Sequence, residues 1–302
     1  MSEATLDWFG CATFRLTLGG AVVFLDAYID RVDGAVGSGM SPDDIDTADW
    51  ILVGHSHFDH LWGAERIARR TGATIVGNYE TTRIMTEQGI PAGQLMSVSG
   101  GERIRLADDI TVTVFPSLHS CVWSHRQMPD SDVACFGDIG LTYQEQLRRY
   151  GELTDWLRGL GADVVAHLQE SDQGARGDGH TLVYLIESPA GSILFQDTSG
   201  YWAGILDDVT PDVAILAAAG RGNIDGNPVQ GTLAQFVAAE VDLLRPQRVV
   251  LCHHDDWLPG FSRAIDAAPI ARELRGVSPG TELVEIGYVS GYPILDGLTA
   301  AN

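Results

Sequence analysis

Positive charge is scarce in this sequence. Its 302 residues carry 19 basic side chains against 41 acidic ones, a formal net charge of −22. Nucleic-acid binding depends on Lys and Arg displacing counterions from phosphates, so an acidic surface opposes a nucleic-acid partner. The same sign opposes docking on anionic lipid. The plain role of the acidity is solubility, and a bound metal cluster would reverse the sign locally, leaving an anionic small substrate admissible. Cysteine is sparse as well. Cys11, Cys121, Cys135 and Cys252 form no CxxC pair, and Met1-Ser2-Glu3-Ala4-Thr5 does not open like a signal peptide, so no disulfide framework is expected. The four read as reduced thiols, for the most part small buried apolar residues. No apolar run reaches the length of a membrane span. The expectation is a cytoplasmic protein.

What is present is an ordinary globular balance rich in turn residues, with 35 glycines that call for many tight turns between short strands. Thr5 to Phe9, Thr13 to Thr17 and Ala21 to Leu25 are strand-like pieces separated by Gly10 and by Gly19-Gly20, a spacing suited to antiparallel strands. Asp33 to Asp46 reads as a loop, in which Asp33 to Met40 is either a flap over a site or a plain surface loop. Trp50 to Val53 is a short buried strand closed by Gly54. Helical spacing follows from Leu61 to Arg70, then a strand at Ala73 to Val76, a helix at Glu80 to Gln88, and a strand pair at Arg103 to Leu106 and Ile110 to Phe115. Residues 120 to 178 are the least regular, with one helix expected around Tyr143 to Leu160. The second half repeats the pattern. A hairpin pairs Thr181 to Glu187 with Ser192 to Phe195, and strands at Val213 to Leu216 and Arg248 to Leu251 flank a helix at Leu233 to Leu244. A helix near Arg263 to Leu274 and a strand near Leu283 to Ile286 close the chain. Two similar β-rich halves with helices outside predict an α+β fold, a four-layer αββα sandwich, as one domain over 1–302.

His55, His57, Asp59 and His60 fall in six residues just after a buried strand, although the whole chain has nine histidines. Alternate residues of an extended segment face the same way, so His55 and His57 can grip one ion together. Asp59 and His60, one turn on, can face a second ion nearby. Imidazole and carboxylate suit zinc and its neighbours iron and manganese. A chance cluster of surface polar residues is the competing explanation, and the strand-end position counts against it.

In this segment the chain resembles the metallo-β-lactamase superfamily, whose pattern is HxHxDH after a strand, followed by a lone His, an Asp and a final His at strand ends. His119 follows the strand Ile110 to Phe115, Asp197 follows Ser192 to Phe195, and His253 follows Val249-Val250-Leu251-Cys252. The resemblance runs from the Trp8-Phe9-Gly10-Cys11-Ala12-Thr13-Phe14 opening to His253, and it is closest to the branch of small lactone- and phosphodiester-cleaving hydrolases. It implies the four-layer sandwich and an insertion at about 120–178 roofing the active site. It implies two divalent cations, zinc first, with manganese or iron as alternatives. One would be held by His55, His57 and His119, the other by Asp59, His60 and His253, with Asp197 and a shared hydroxide between them. That hydroxide would attack an ester, lactone or phosphodiester bond of a small molecule, with Asp59 and Asp197 as the residues on which catalysis depends. True zinc β-lactamases lack a bridging Asp at the position matched by Asp197, so antibiotic hydrolysis is not the leading expectation.

The last ligand lies in the doublet His253-His254, where a shift of one residue swaps the two. His253 continues the strand more directly, which leaves His254 as a substrate contact. His180, Trp123 and Tyr201 are the other candidate substrate contacts. His125 and His180 compete with a structural or surface role, and His167 reads as core. Trp123, Tyr201, Trp202 and Trp257 suit either an aromatic wall for an apolar substrate or plain core packing. Asp255 and Asp256 suit either orientation of an imidazole or a helix cap. A di-iron redox protein on the same fold, a nucleic-acid-processing hydrolase and a binding protein with a relic site are the rival functions. A homo-oligomer is compatible with all of them.

Overall fold

The structure, a computed structural model, describes residues 4–298. Met1-Ser2-Glu3, on which the expectation of no signal peptide partly rests, lies outside those residues. Two seven-stranded sheets dominate it. The first runs, edge to edge, Tyr292–Pro293, Thr5–Gly10, Thr13–Leu18, Ala21–Leu25, Trp50–Leu52, Thr74–Gly77 and Leu95–Ser97. Its opening strands pair antiparallel through tight turns, for which Gly19 and Gly20 supply positive φ of 59° and 89°. From Ala21–Leu25 outward the pairings are parallel. The helices Ala64–Thr71 and Tyr79–Glu87 provide two of the crossovers. Asn78 starts the second by accepting a hydrogen bond from the Thr81 N–H.

The second sheet repeats this order: Arg103–Ala107, Ile110–Ser117, Thr181–Ser188 and Gly191–Gln196 are antiparallel, then Val213–Ala217, Arg248–Cys252 and Glu282–Val284 join in parallel. Its crossover helices are Leu233–Leu244, opened by a capping box of Thr232 with Gln235, and Ala268–Val277. Inward residues of both sheets, among them Phe14, Leu16, Val23, Val114, Ile186, Phe195 and Ile215, form the central core. Phe24, Ile51 and Ile75 face Ile67, Ala68 and Ile84 on the first pair of helices. Leu194, Leu216 and Val249 face Phe236, Val241 and Ile270 on the second. Helix, sheet, sheet and helix therefore stack as a four-layer αββα sandwich.

Three local expectations change. Helical structure begins inside the histidine motif rather than at Leu61 and comes in two pieces, Phe58–Leu61 and Ala64–Thr71. Gly63 separates them at φ 108°, where a Cβ would lie 2.6 Å from the Ala27 carbonyl oxygen. The helix begun at Tyr143 stops at Leu157, and a further helix, Ala162–Ser171, lies in the stretch expected to be irregular. The last helix starts at Ala268 rather than near Arg263, with Pro269 in its first turn where a missing N–H costs nothing. No helix of the described residues is long and apolar enough to cross a membrane.

Candidate metal centre

Strands of both sheets end at one rim of the sandwich, and chemistry collects there because loops leaving strand ends converge on a crevice. Asp26 follows Ala21–Leu25, the histidine motif follows Trp50–Leu52, and His119 follows Ile110–Ser117. Asp197 follows Gly191–Gln196, and His253 follows Arg248–Cys252. Among the described residues, three groups of side chains bring one donor atom each within 4.8 Å of one another: His55, His57 and His119; His55, His60 and Asp197; and Cys11, Asp59 and His253.

Asp197 is fully buried, in the group that shares His55 with the three-histidine group. Its Oδ2 lies 2.6 Å from His55 Nδ1 and 3.3 Å from His60 Nδ1. Its Oδ1 has no partner, although a buried carboxylate oxygen left bare is costly. Gly54 makes this approach possible, since a Cβ there would stand 2.1 Å from Asp197 Oδ2. On the other side, Asp59 Oδ2 lies 3.4 Å from His60 Nε2 and 3.2 Å from His253 Nε2. The two imidazole nitrogens are 3.3 Å apart. His253, at φ 61°, is thus the member of the doublet that faces Asp59 and His60.

Electrostatics favour lone pairs over protons at the three-histidine group. Burial, followed by repulsion from neighbouring imidazoles, drives His55 well below its usual value, and burial pushes His119 down to about 4. Burial lowers His57 as well, against the pull of Asp59 and Asp178. His60 behaves oppositely: burial works against its charged form, but Asp59, Asp26 and Asp197 outweigh it and hold the ring well above its ordinary range. Burial raises Asp197. Neutral imidazoles converging beside a carboxylate with a bare buried oxygen make a donor set that fits divalent cations.

Supporting residues lie far away in the sequence. Asp26, at φ 54°, accepts the Gly54 N–H on Oδ1 at 2.9 Å, and its Oδ2 sits 2.7 Å from His60 Nδ1. It thereby fixes which nitrogen of His60 faces Asp59. The Asp178 carbonyl accepts the Ser56 N–H at 3.0 Å and pins the extended part of the motif. Asp255 accepts the Cys11 N–H and the Tyr288 hydroxyl, while Asp256 accepts from Ser262 Oγ. His167 is buried on the helix Ala162–Ser171, with Nε2 2.7 Å from the Tyr28 hydroxyl. Sequence reasoning did not single out Asp26, Cys11 or Asp178 for this site. A strand-end position was the one available signal for Asp26, in Phe24-Leu25-Asp26.

A cavity of about 110 Å³ opens on the centre. His57, Asp59, His119 and His253 form its floor, and Phe58, Met128, Leu153, Leu157, Trp257 and Phe261 most of its apolar wall. His125 also lines it, with both ring nitrogens buried and unpartnered. Burial pushes that ring down to about 4. A wider groove of about 610 Å³ continues past Tyr150 between the helices Tyr143–Leu157 and Ala162–Ser171. The segment 33–40 is absent from the lining of both.

The four candidate substrate contacts fall elsewhere. Tyr201 packs into the core against Phe236, ring centroids 5.6 Å apart, because the short strand Gly200–Tyr201 pairs with Asn223–Ile224 and turns its ring inward. His254 stacks on Trp8 at 4.7 Å, since successive residues at the strand end point to opposite sides. His180 is exposed beyond Asp178, to whose carboxylate its N–H donates. Trp123 lines a separate open groove with Arg126, Arg149 and Glu152. Trp257 does border the cavity, edge-on to His253 at 5.1 Å, while Trp202 lies on the surface.

Comparison with known proteins places these observations. A family model described as a β-lactamase superfamily domain matches residues 22–137. A UPF0173 metal-dependent hydrolase of Pyrobaculum aerophilum is 38% identical over 117 residues, which is 38% of this chain and 50% of the relative. Its counterpart in Pyrobaculum islandicum is 37% identical over 143 residues, 45% of this chain and 62% of the relative. The chain thus spans about half the length of the curated relatives it matches. Among solved structures, the metallo hydrolase Igni18 of Ignicoccus hospitalis superposes with a TM-score of 0.60 at 17% identity, covering 95% of this chain and 96% of that one.

Proposed function

We propose that the chain is a member of the metallo-β-lactamase fold superfamily and, from that premise, a metal-dependent hydrolase acting on an ester, lactone or phosphodiester bond of a small molecule. The observation that carries this reading is the convergence of His55, His57, His119, Asp59, His60, His253 and Asp197 from separate strand ends onto one rim. His55, His57 and His119 would hold one divalent cation; Asp59, His60 and His253 would hold a second, with Asp197 between them. Zinc is the first choice, with manganese and iron as alternatives. Divalent cations held there would supply Lewis acidity, lowering the pKa of a water and stabilising negative charge that develops on the substrate oxygen.

The chain's own residues do the positioning. Asp197 Oδ2 lies against both His55 and His60 and so links the two halves of the centre. Asp26 holds the His60 ring with Nε2 toward Asp59 and His253. Phe58, Leu157, Trp257 and Phe261 exclude bulk water from the cavity and leave room for an apolar body. No Arg borders that cavity, and its His125 is neutral at physiological pH. This lining favours an uncharged carbonyl substrate, an ester or lactone, over a phosphodiester. The net charge of −22 speaks against nucleic acid as substrate, and we place the protein in the cytoplasm.

A panel of short esters, lactones and phosphodiesters, assayed with and without chelator, tests the reading. Chelator-sensitive cleavage, strongest on the uncharged carbonyl compounds, is expected. Turnover that persists in Asp197→Asn or after metal removal would contradict it.

A further inference from the structure

We propose that Cys11 is a metal ligand, binding through Sγ the cation that Asp59 and His253 hold. Cysteine lies outside the ligand set read from the histidine motif and its matching strand ends, so the inference adds to the proposed function and rests on it. The Cys11 donor lies within 4.8 Å of those of Asp59 and His253. All three side chains are buried. The three come from different segments: the turn after Thr5–Gly10, the helix Phe58–Leu61, and the end of Arg248–Cys252.

The backbone of Cys11 is held on both sides. Its N–H donates to the Asp255 carboxylate at 3.0 Å, and its carbonyl accepts from the His253 N–H at 2.8 Å and from the Trp8 indole at 3.0 Å. Both Cys11 and His253 adopt the left-handed region, at φ 48° and 61°, which few non-glycine residues do. The hydrogen bond between them therefore couples the placement of the thiol to that of the imidazole. The thiol itself reaches the Asp59 carbonyl oxygen at 3.5 Å. Beside it, Asp59 Oδ2 and the facing nitrogens of His60 and His253 crowd to within 3.4 Å of one another. Those atoms are of the kinds that ligate a divalent cation and lie close enough to share one, and Cys11 brings a further donor within 4.8 Å of those of Asp59 and His253. On metal binding the S–H proton passes to solvent and the sulfur–metal bond forms in its place.

The two metal positions then differ in kind. One is built from three imidazoles, whereas the other combines thiolate, carboxylate and imidazole. Thiolate selects zinc, cobalt or ferrous iron over manganese and magnesium, so Cys11 would set the metal preference of its position.

Cobalt(II) substitution of the full chain tests this without reference to turnover. The expected result is a sulfur-to-cobalt charge-transfer band in the near ultraviolet that is lost in Cys11→Ser and kept in Cys121→Ser. In zinc-against-manganese competition, Cys11→Ser should lose roughly tenfold in preference for zinc. Wild-type protein that binds cobalt, with its visible d–d bands but no thiolate band, would overturn the Cys11 assignment and leave the metallohydrolase reading standing. A band that survives in Cys11→Ser would overturn it equally. Failure of the wild type to bind cobalt at all would overturn both.

Discussion

Replacing Asp26 by Asn tests whether the centre depends on a residue outside its ligand set. Asp26 Oδ2 lies 2.7 Å from His60 Nδ1, and Oδ1 accepts the Gly54 N–H at 2.9 Å. Asn keeps the size, tolerates the left-handed backbone at φ 54°, and can still accept from Gly54 with its amide oxygen. Its NH₂ group then faces His60 Nδ1 and can only donate. That forces the His60 proton onto Nε2, the nitrogen facing Asp59 and His253, and removes the lone pair a cation needs. Outer-shell carboxylates on ligand imidazoles are worth about 10–100-fold in metal affinity, or roughly 1.4–2.7 kcal/mol at 1.36 per tenfold. The tautomer argument puts the loss at the upper end. Burial raises Asp26 with His60 pulling against it, and Asp26 in turn helps to hold His60 charged; the amide removes that buried pair, so metal-free thermal stability should fall as well. Zinc affinity by competition with a chromophoric chelator, alongside a thermal melt of the metal-free form, separates the two effects. An Asn variant whose zinc affinity stays within about twofold of wild type, against the roughly tenfold minimum expected, would refute the reasoning.

Gly54→Ala should lower metal occupancy, because its Cβ would fall 2.1 Å from Asp197 Oδ2 and 2.2 Å from Cγ; elemental analysis of the refolded variant reads this directly. Asp59→Asn and Asp197→Asn should each abolish turnover while keeping the wild-type circular dichroism spectrum, and wild-type rates in either would count against the site. Glu240 is fully buried, and burial pushes its carboxyl from 4.5 up to about 8. The folded state therefore holds a proton that the unfolded state releases between those values, so this group's contribution makes stability fall as pH rises from about 4.5 to about 8. Glu240→Gln should remove that slope and raise stability at pH 7 by at most about 3 kcal/mol. Denaturant melts at pH 5 and pH 7 check it, and an unchanged slope would contradict it.

The four-layer order was legible because each layer leaves a local period. Thr13–Leu18 and Ile110–Ser117 alternate buried and less buried residues, and Leu233–Leu244 carries an apolar face behind a capping box. The histidine motif was legible because its candidate ligands share six residues. His119, Asp197 and His253 were placed by the resemblance, whose pattern sets each of them after an apolar strand. Asp26 and Cys11 escaped for the opposite reason. Their partners His60 and Asp59 lie 34 and 48 residues away, and a buried cysteine carries no pattern that separates a ligand from a core filler. Tyr201 was misplaced because proximity in sequence to Asp197 says nothing about which side of a two-residue strand the ring takes. The helix Ala162–Ser171 escaped because Gly159 and Gly161 before it and Gly174 after it dominate the local signal.

The central claim is that side chains from separate strand ends converge to hold two divalent cations. Metal content per chain, measured by elemental analysis after reconstitution with zinc and removal of excess, tests it most directly. The account predicts two equivalents in the wild type, with a lower value in Asp197→Asn. Less than one equivalent in well-folded wild-type protein would contradict it.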